Sequence, residues 1–329
     1  MEEKQAKFKW SRGRTLGKGS YGFVSLASTD TPSPMIPSLI AVKSCMLNRS
    51  QSLRNEREFL RMFEDCPQII RCFGFKVTYE DDLYLYNLLL EFASAGSLAD
   101  RIDERGLPEF QVQKYTKNVV LGLSLIHKKG IIHCDIKPQN ILLTTDGDDD
   151  DGMAEVAKIA DFGLSITLEK NWKENMGHRG TKRYMAPEAL IKKEYCPGVD
   201  IWSLGCTVYE MITGKPLWES SDSDLLLNRI KYEEPNIENP KLSTEAKDFL
   251  NNCLVRNPSA RWSAEMLLNH SFLKSADDVQ PPDTKKRQCD GMSLLRKKRT
   301  KTAFRTQPHI RDLVIQLDSD SKDENSRPN

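Results

Sequence analysis

The chain has almost no net charge: 48 Lys and Arg face 47 Asp and Glu, leaving +1 over 329 residues. No global field therefore recruits nucleic acid or an anionic membrane surface. Also missing are the eighteen or so consecutive apolar residues of a membrane-spanning helix. The first residues, Met1-Glu2-Glu3-Lys4-Gln5, are charged where a signal peptide needs an apolar core. None of the eight cysteines forms a C-x2-C pair, and they are too scattered for a disulfide framework. A Walker-type G-x4-G-K-[ST] string occurs nowhere, which excludes a P-loop. A soluble protein of a reducing compartment is expected, placed in the cytoplasm. With 39% hydrophobic and 29% charged residues, the chain can bury a core. Its length suits two domains or one large two-lobed domain.

Strand patterns dominate the first hundred residues. Val24-Ser25-Leu26-Ala27 and Leu39-Ile40-Ala41-Val42 are short apolar runs with β-branched residues, and Ser28 to Pro37 between them holds three prolines and reads as a loop. Leu53 to Phe63 has apolar residues at helical spacing. Leu83 to Phe92 is a dense apolar run whose length fits either a buried strand or a helix. Beyond residue 108 helices are expected over Phe110 to His127, Val199 to Ile212, Thr244 to Leu254 and Ser263 to Leu268. Val199 to Ile212 is apolar around most of its circumference and predicts a central buried helix. A strand-rich front and a helix-rich back imply an α+β fold in two lobes. Between two apolar strands, Thr145 to Gly152 is an acidic run, read as a solvated hairpin loop rather than a metal site.

Leu16-Gly17-Lys18-Gly19-Ser20-Tyr21-Gly22-Phe23-Val24 contains G-x-G-x-x-G-x-V. A dinucleotide-binding turn would open a helix at the last glycine, and here strand-like residues and a proline loop follow instead. A glycine-rich hairpin closing on nucleotide phosphates remains, because only side-chain-free backbone comes that close. Lys43, in Ala41-Val42-Lys43, fits a strand lysine that reaches such phosphates. Glu56 is its expected partner in preference to Glu58, since Glu56 precedes Phe59 and Leu60 at +3 and +4, on the edge of the inward face. His133-Cys134-Asp135-Ile136-Lys137-Pro138-Gln139-Asn140 puts a carboxylate, a cation and an amide within six residues. Asp161-Phe162-Gly163 and Ala186-Pro187-Glu188 follow in order.

These motifs, in this order from Phe8 to Leu273, make the chain resemble a eukaryotic protein kinase. The resemblance implies a small β-rich lobe over residues 8–91 and a helical lobe over 95–273, with ATP and Mg2+ between them. It makes Asp135 the group that orients the substrate hydroxyl and Lys137 the neutraliser of the transferring phosphate. Asn140 and Asp161 become the Mg2+ ligands, and Lys43, held by Glu56, the anchor of the α- and β-phosphates. The string Leu16, Gly17, Lys18, Gly19, Ser20, Tyr21, Gly22, Phe23 and Val24 covers the nucleotide. Ala41 and Leu142 join Leu16 and Val24 around adenine; Glu91, Phe92 and Ala93 form the hinge whose backbone meets its edge, with Leu90 just before it as the pocket-limiting side chain. Glu188 with Arg261, and Asp200 with the catalytic-loop backbone, take structural roles, and His133 reads as a packed core histidine.

Lys137-Pro138 and Gly180-Thr181 resemble Ser/Thr kinases, with Thr181 expected to bond Asp135 and Lys137. Cys134 stands where the family usually has arginine, so the electrostatic benefit of an activation-loop phosphate is absent there. Much of the activity is accordingly expected to survive Thr167→Ala. Ala41-Val42-Lys43-Ser44, Ser52 to Glu56 and Glu91 to Leu98 resemble mitogen-activated protein kinase kinase kinases, notably short plant members. That implies MAP kinase kinases as substrates in a stress or hormone signalling cascade. Another Ste20-like Ser/Thr kinase is the alternative. A pseudokinase scaffold would require the loss of Lys43, Asp135 or Asp161, and all three are present.

Residues 274–329 hold a different composition: from 275 on, 13 of 55 residues are apolar, about 24%, and all five tryptophans lie earlier. Such a segment cannot offset its chain entropy by burial and is expected to be disordered. Lys285-Lys286-Arg287 and Arg296-Lys297-Lys298-Arg299 suit a nuclear import signal or a docking element. Leu313 to Leu317, with its acidic flank, resembles a SUMO-interacting strand; docking back onto the kinase domain competes with that reading.

Overall fold

The run Leu83 to Phe92, open between strand and helix from its sequence, is a strand because both its edges and both its faces are occupied. In the computed structural model, which describes residues 6–19, 22–33, 35–145, 155–171 and 177–274, it forms β5 of a five-stranded antiparallel sheet. The sheet runs β1 (Trp10–Gly19), β2 (Gly22–Thr29), β3 (Leu39–Met46), β5 (Leu83–Glu91) and β4 (Cys72–Glu80) in spatial order, and α1 (Gln51–Arg61) lies between β3 and β4 in sequence. β5 pairs with β3 and β4, so a strand from the middle of the sheet is apolar on both sides, without alternation. On one face Cys45, Tyr86, Leu88 and Leu90 share a core with Leu53 and Leu60 of α1. On the other, Ala27, Ile40, Val42 and Leu89 are covered by Ala6, Phe8, Trp10 and Phe73.

Strand β2 runs two residues further than its sequence suggested, through Ser28 and Thr29. Thr29 is held there by its N–H on Ser38 O at 2.9 Å and its hydroxyl on Pro37 O at 2.7 Å. Of strand β1 only the glycine-rich end was read from sequence, as one arm of a hairpin; the rest is polar and mostly exposed.

The second lobe contains α2 (Leu98–Arg101), α3 (Glu109–Lys128), β6 (Ile131–Ile132), β7 (Ile141–Thr145), β8 (Glu155–Ile159), β9 (Ile166–Thr167), α4 (Leu168–Asn171), α5 (Pro187–Lys192), α6 (Pro197–Thr213), α7 (Ser223–Tyr232), α8 (Thr244–Cys253), α9 (Ala264–Leu267) and α10 (Ser271–Lys274). Helix α6 starts with proline in its first turn and stops at Gly214, whose φ of 73° favours glycine. It is buried along nearly its whole length and packs against α3 and α8. Ser243 and Ser263 cap α8 and α9 by accepting from Ala246 N and Met266 N. β7 pairs with β8, and β6 with β9, and these two small ladders carry the loops of the cleft.

Ser20 and Tyr21 lie outside the described residues. So do the aspartates of the 146–151 run, both basic clusters and the Leu313–Leu317 strand. Among the described residues, no helix is long and apolar enough to cross a membrane.

Candidate active site

Lys43 sits in the middle of β3 with its side chain on the inner face, where α1 presents Glu56. Lys43 Nζ donates to Glu56 Oε2 at 2.8 Å and to Asp161 Oδ1 at 2.9 Å. Glu56 is 1% exposed, whereas the side chain of Glu58 is 56% exposed and faces Arg61, so the helix face selects between the two acids as their apolar neighbours implied. Burial pushes the Glu56 carboxyl up to about 7 against the pull of Lys43. For Lys43, burial alone favours the neutral amine, but Asp161 and Glu56 together raise its pKa above the ordinary lysine value. Burial likewise works against the Asp161 carboxylate, and the Lys43 charge overrides it, bringing the pKa down to about 2. Asp161 follows β8 in a left-handed conformation, φ 62°, and caps the turn Phe162–Leu164 by accepting from Gly163 N.

Opposite this trio, the loop after β6 delivers Asp135. Its Oδ1 accepts from Thr181 N at 2.9 Å and Thr181 Oγ1 at 2.8 Å. Its Oδ2 accepts from Asn140 Nδ2 at 2.9 Å and lies 3.1 Å from Lys137 Nζ. Lys137 Nζ also donates to Thr181 Oγ1 at 2.6 Å. Asp200, at the start of α6, anchors the loop's backbone, accepting from His133 N at 2.9 Å and Cys134 N at 2.8 Å. Cys134 needs this anchoring, since it holds φ 70° without being glycine. His133 is fully buried with Nε2 on Ala160 O at 3.1 Å, and burial lowers its pKa, as suits a core histidine.

The residues fit a magnesium nucleotide. A Cβ on Gly22 would stand 1.9 Å from Ser44 O, so only glycine lets the hairpin close down there. Asn140 uses its NH2 on Asp135 O and Oδ2, which leaves its amide oxygen as the available ligand atom. Ala160 N donates to Asn140 O at 2.9 Å, so Asn140 and Asp161 stand on adjoining segments. An amide oxygen and an ionised carboxylate are what Mg2+ takes when phosphate and water complete its shell. Around them, Leu16 and Val24 of β1 and β2 and Leu142 of β7 are part-buried against the same core as Ala41 and Leu90. Gly17, Lys18 and Gly19 end β1, paired with Val24, Phe23 and Gly22. Ala93 lies in the connection after β5.

A family model described as the protein kinase domain matches residues 10–273. The chain belongs to the protein kinase family. It is 45% identical to mitogen-activated protein kinase kinase kinase 20 of Arabidopsis thaliana, over 80% of this chain and 78% of that one. It is 39% identical to kinase kinase kinase 18 of the same plant, over 80% and 77%. To the human kinase kinase kinase 4 it is 34% identical, over 83% of this chain and 17% of the relative. This kinase is thus a protein serine/threonine kinase by kinship, with the α+β two-lobed architecture its motifs imply.

Three further contacts of the kinase had no signal in the sequence pattern. Glu91 Oε1 accepts from Lys158 Nζ at 2.7 Å and Oε2 from Arg71 N at 3.1 Å, tying the end of β5 to β8. Tyr184 donates its hydroxyl to Glu210 on α6 at 2.8 Å. Glu188 and Arg261 form the expected pair, with Nη1 and Nη2 at 2.7 and 3.2 Å from the two carboxylate oxygens. Of the hydroxyls between Asp161 and Glu188, Ser165 is buried with Oγ on His133 O at 3.2 Å, and Thr167 lies in β9 opposite Ile131.

Proposed function

We propose that this kinase transfers the γ-phosphoryl group of ATP, taken as its magnesium complex, to a serine or threonine of a MAP kinase kinase. The observation that carries the reading is the set of bonds on Asp135. Both its oxygens are oriented by Thr181, Asn140 and Lys137, which supports a carboxylate held in place to accept a hydroxyl proton. In this reading the Asp135 carboxylate orients the acceptor hydroxyl and takes its proton as the new P–O bond forms and the bond from the γ-phosphorus to the β–γ bridging oxygen breaks, with ADP leaving. Lys137 stands beside it to neutralise charge on the moving phosphoryl group. Lys43, fixed by Glu56, holds the α- and β-phosphates, and Asn140 and Asp161 hold the Mg2+. When bound, the ion supplies positive charge to the phosphate oxygens. Leu16, Val24, Ala41, Leu90 and Leu142 enclose the adenine, and Glu91 to Ala93 meet its polar edge with backbone. Gly17, Lys18 and Gly19, with Gly22 and Phe23, exclude water above the phosphates.

The substrate class is supported by kinship with proteins named mitogen-activated protein kinase kinase kinases. A stress or hormone signalling cascade and a cytoplasmic location, with nuclear entry through the basic clusters at 285–299, complete the proposal.

The test uses the full chain with magnesium ATP and a catalytically inert MAP kinase kinase as acceptor, with phosphosites mapped by mass spectrometry. Phosphate is expected on Ser/Thr of the acceptor's activation loop, lost in Asp135→Asn. Transfer to a generic basic protein without transfer to any kinase kinase would remove the substrate class. No transfer to either would remove the catalytic roles.

A further inference from the structure

Arg12 lies near the start of β1, outside every motif that led to the cleft, and its guanidinium reaches all the other strands of the sheet. Nε and Nη2 donate to the two carboxylate oxygens of Glu80 on β4, at 2.8 and 3.1 Å. Nη1 donates to Ser44 Oγ on β3 at 3.0 Å, and Nη2 to Asn87 Oδ1 on β5 at 2.8 Å. Strand β2 meets it through a ring: Cζ lies 5.2 Å from the centroid of Phe23, and 5.1 Å from that of Trp10.

The acceptors are themselves fixed. Ser44 Oγ donates to Asn87 Oδ1 at 2.7 Å, and Asn87 Nδ2 donates to Thr78 Oγ1 at 2.8 Å. Ser44 and Asn87 are both fully buried, so losing Arg12 takes one donor from each and leaves Ser44 Oγ and Asn87 Oδ1 only the bond between them. The Arg12 bonds also hold the Glu80 carboxyl below its ordinary range. A planar fork with five donors fits this arrangement, and a lysine does not.

The position of this cluster gives it a consequence for the nucleotide. Phe23 follows Gly22, whose backbone closes on Ser44 O. Ser44 therefore receives the hairpin on its carbonyl and Arg12 on its hydroxyl. The ladder between β1 and β2 cannot set the hairpin's angle unaided, because its register is broken between Arg12 and Thr15 and again between Thr15 and Gly17. We infer that Arg12 is a positioning residue for the nucleotide, setting the height at which β1 and β2 carry their glycines over the phosphates. The inference rests on the reading of the cleft as an ATP site.

The test measures binding of a fluorescent ATP analogue with Mg2+ to the full chain, together with kcat and KM. Arg12→Ala raises the analogue's Kd and the KM for ATP about tenfold and leaves the KM for the acceptor protein unchanged. Arg12→Lys, charged but without the fork, restores only a minor part of that loss. Glu80→Gln, at a residue with no place in the nucleotide cleft, keeps the Arg12 bonds to Ser44 and Asn87 and removes the carboxylate that takes its fork. It raises Kd by about threefold and moves the melting temperature by no more than about 2 °C. This variant decides the matter if Arg12→Ala does not fold. A folded Arg12→Ala, or Glu80→Gln, that binds the analogue within about twofold of wild type overturns the inference. Should the wild type bind the analogue tightly but transfer no phosphate, the proposed function fails, and the Kd comparison still decides the role of Arg12.

Discussion

Among the described residues, Thr181 is the one side chain that hydrogen-bonds both Asp135 and Lys137, so replacing its hydroxyl by a methyl tests the catalytic assignment at constant volume. In Thr181→Val, Asp135 Oδ1 loses the 2.8 Å bond from Oγ1 and Lys137 loses its 2.6 Å acceptor. The 2.9 Å bond from Thr181 N to Asp135 Oδ1 persists, so the segment stays attached. The Asp135–Lys137 ion pair, 3.1 Å long in the wild type, persists, which limits the loss. The net cost is that of one hydrogen bond to a charged group, about 1.5–3 kcal/mol. At about 1.4 kcal/mol per tenfold, kcat falls by roughly 10- to 150-fold. The KM for ATP is unchanged, because Lys43 and Asp161 are not touched. Thr181→Ser keeps the hydroxyl and stays within about threefold of wild type. Initial rates at saturating ATP measure both variants. A valine variant within about threefold of wild type, or a serine variant as impaired as valine, refutes the argument.

The raised pKa of Glu56 makes opposite predictions for activity and stability. Activity requires the ionised pair with Lys43, so kcat/KM falls as the pH drops through about 7, and Glu56→Gln flattens that limb at a lower plateau. The folded state binds the Glu56 proton more tightly than the unfolded chain does. Its contribution to stability is therefore fully present below about 4.5 and is lost as the pH rises through about 7, as denaturation at several pH values would record. Arg261→Met strands the buried Glu188 carboxylate and removes donors from Val255 O and Gly198 O. It costs about 3–5 kcal/mol in urea denaturation, and a loss below about 1 kcal/mol contradicts the burial argument. Thr167→Ala retains at least about a third of wild-type kcat, and phosphatase treatment of the wild type leaves its rate similarly unaffected; silencing by either contradicts phosphate-independent ordering.

The order of residues alone determined the parts of this protein whose cause is local. The string from Leu16 to Val24 needs its glycines because backbone must come close to something, and Gly22 is indeed pressed against Ser44. The choice of Glu56 over Glu58 followed from one helix face. Asp135, Lys137 and Asn140 fall within six residues, so one loop could bring them together without knowledge of the rest. Helix α6 was legible because its apolar circumference admits no exposed face. Tertiary structure decided whatever depends on which strand lies beside which. Leu83 to Glu91 became a strand only because β3 and β4 flank it, and a run apolar on all sides carries no period to say so. Outside its glycine-rich end β1 gave no strand signal, because Trp10 and Leu16 are its only large apolar residues and they stand too far apart to mark a period. Arg12 lies 68 residues from Glu80 and 75 from Asn87, and Glu91 lies 67 from Lys158. Pairs so far apart are set by sheet register and by the joining of two lobes. Single surface-type charges give no sign of their partners until the backbone has brought them within hydrogen-bonding distance.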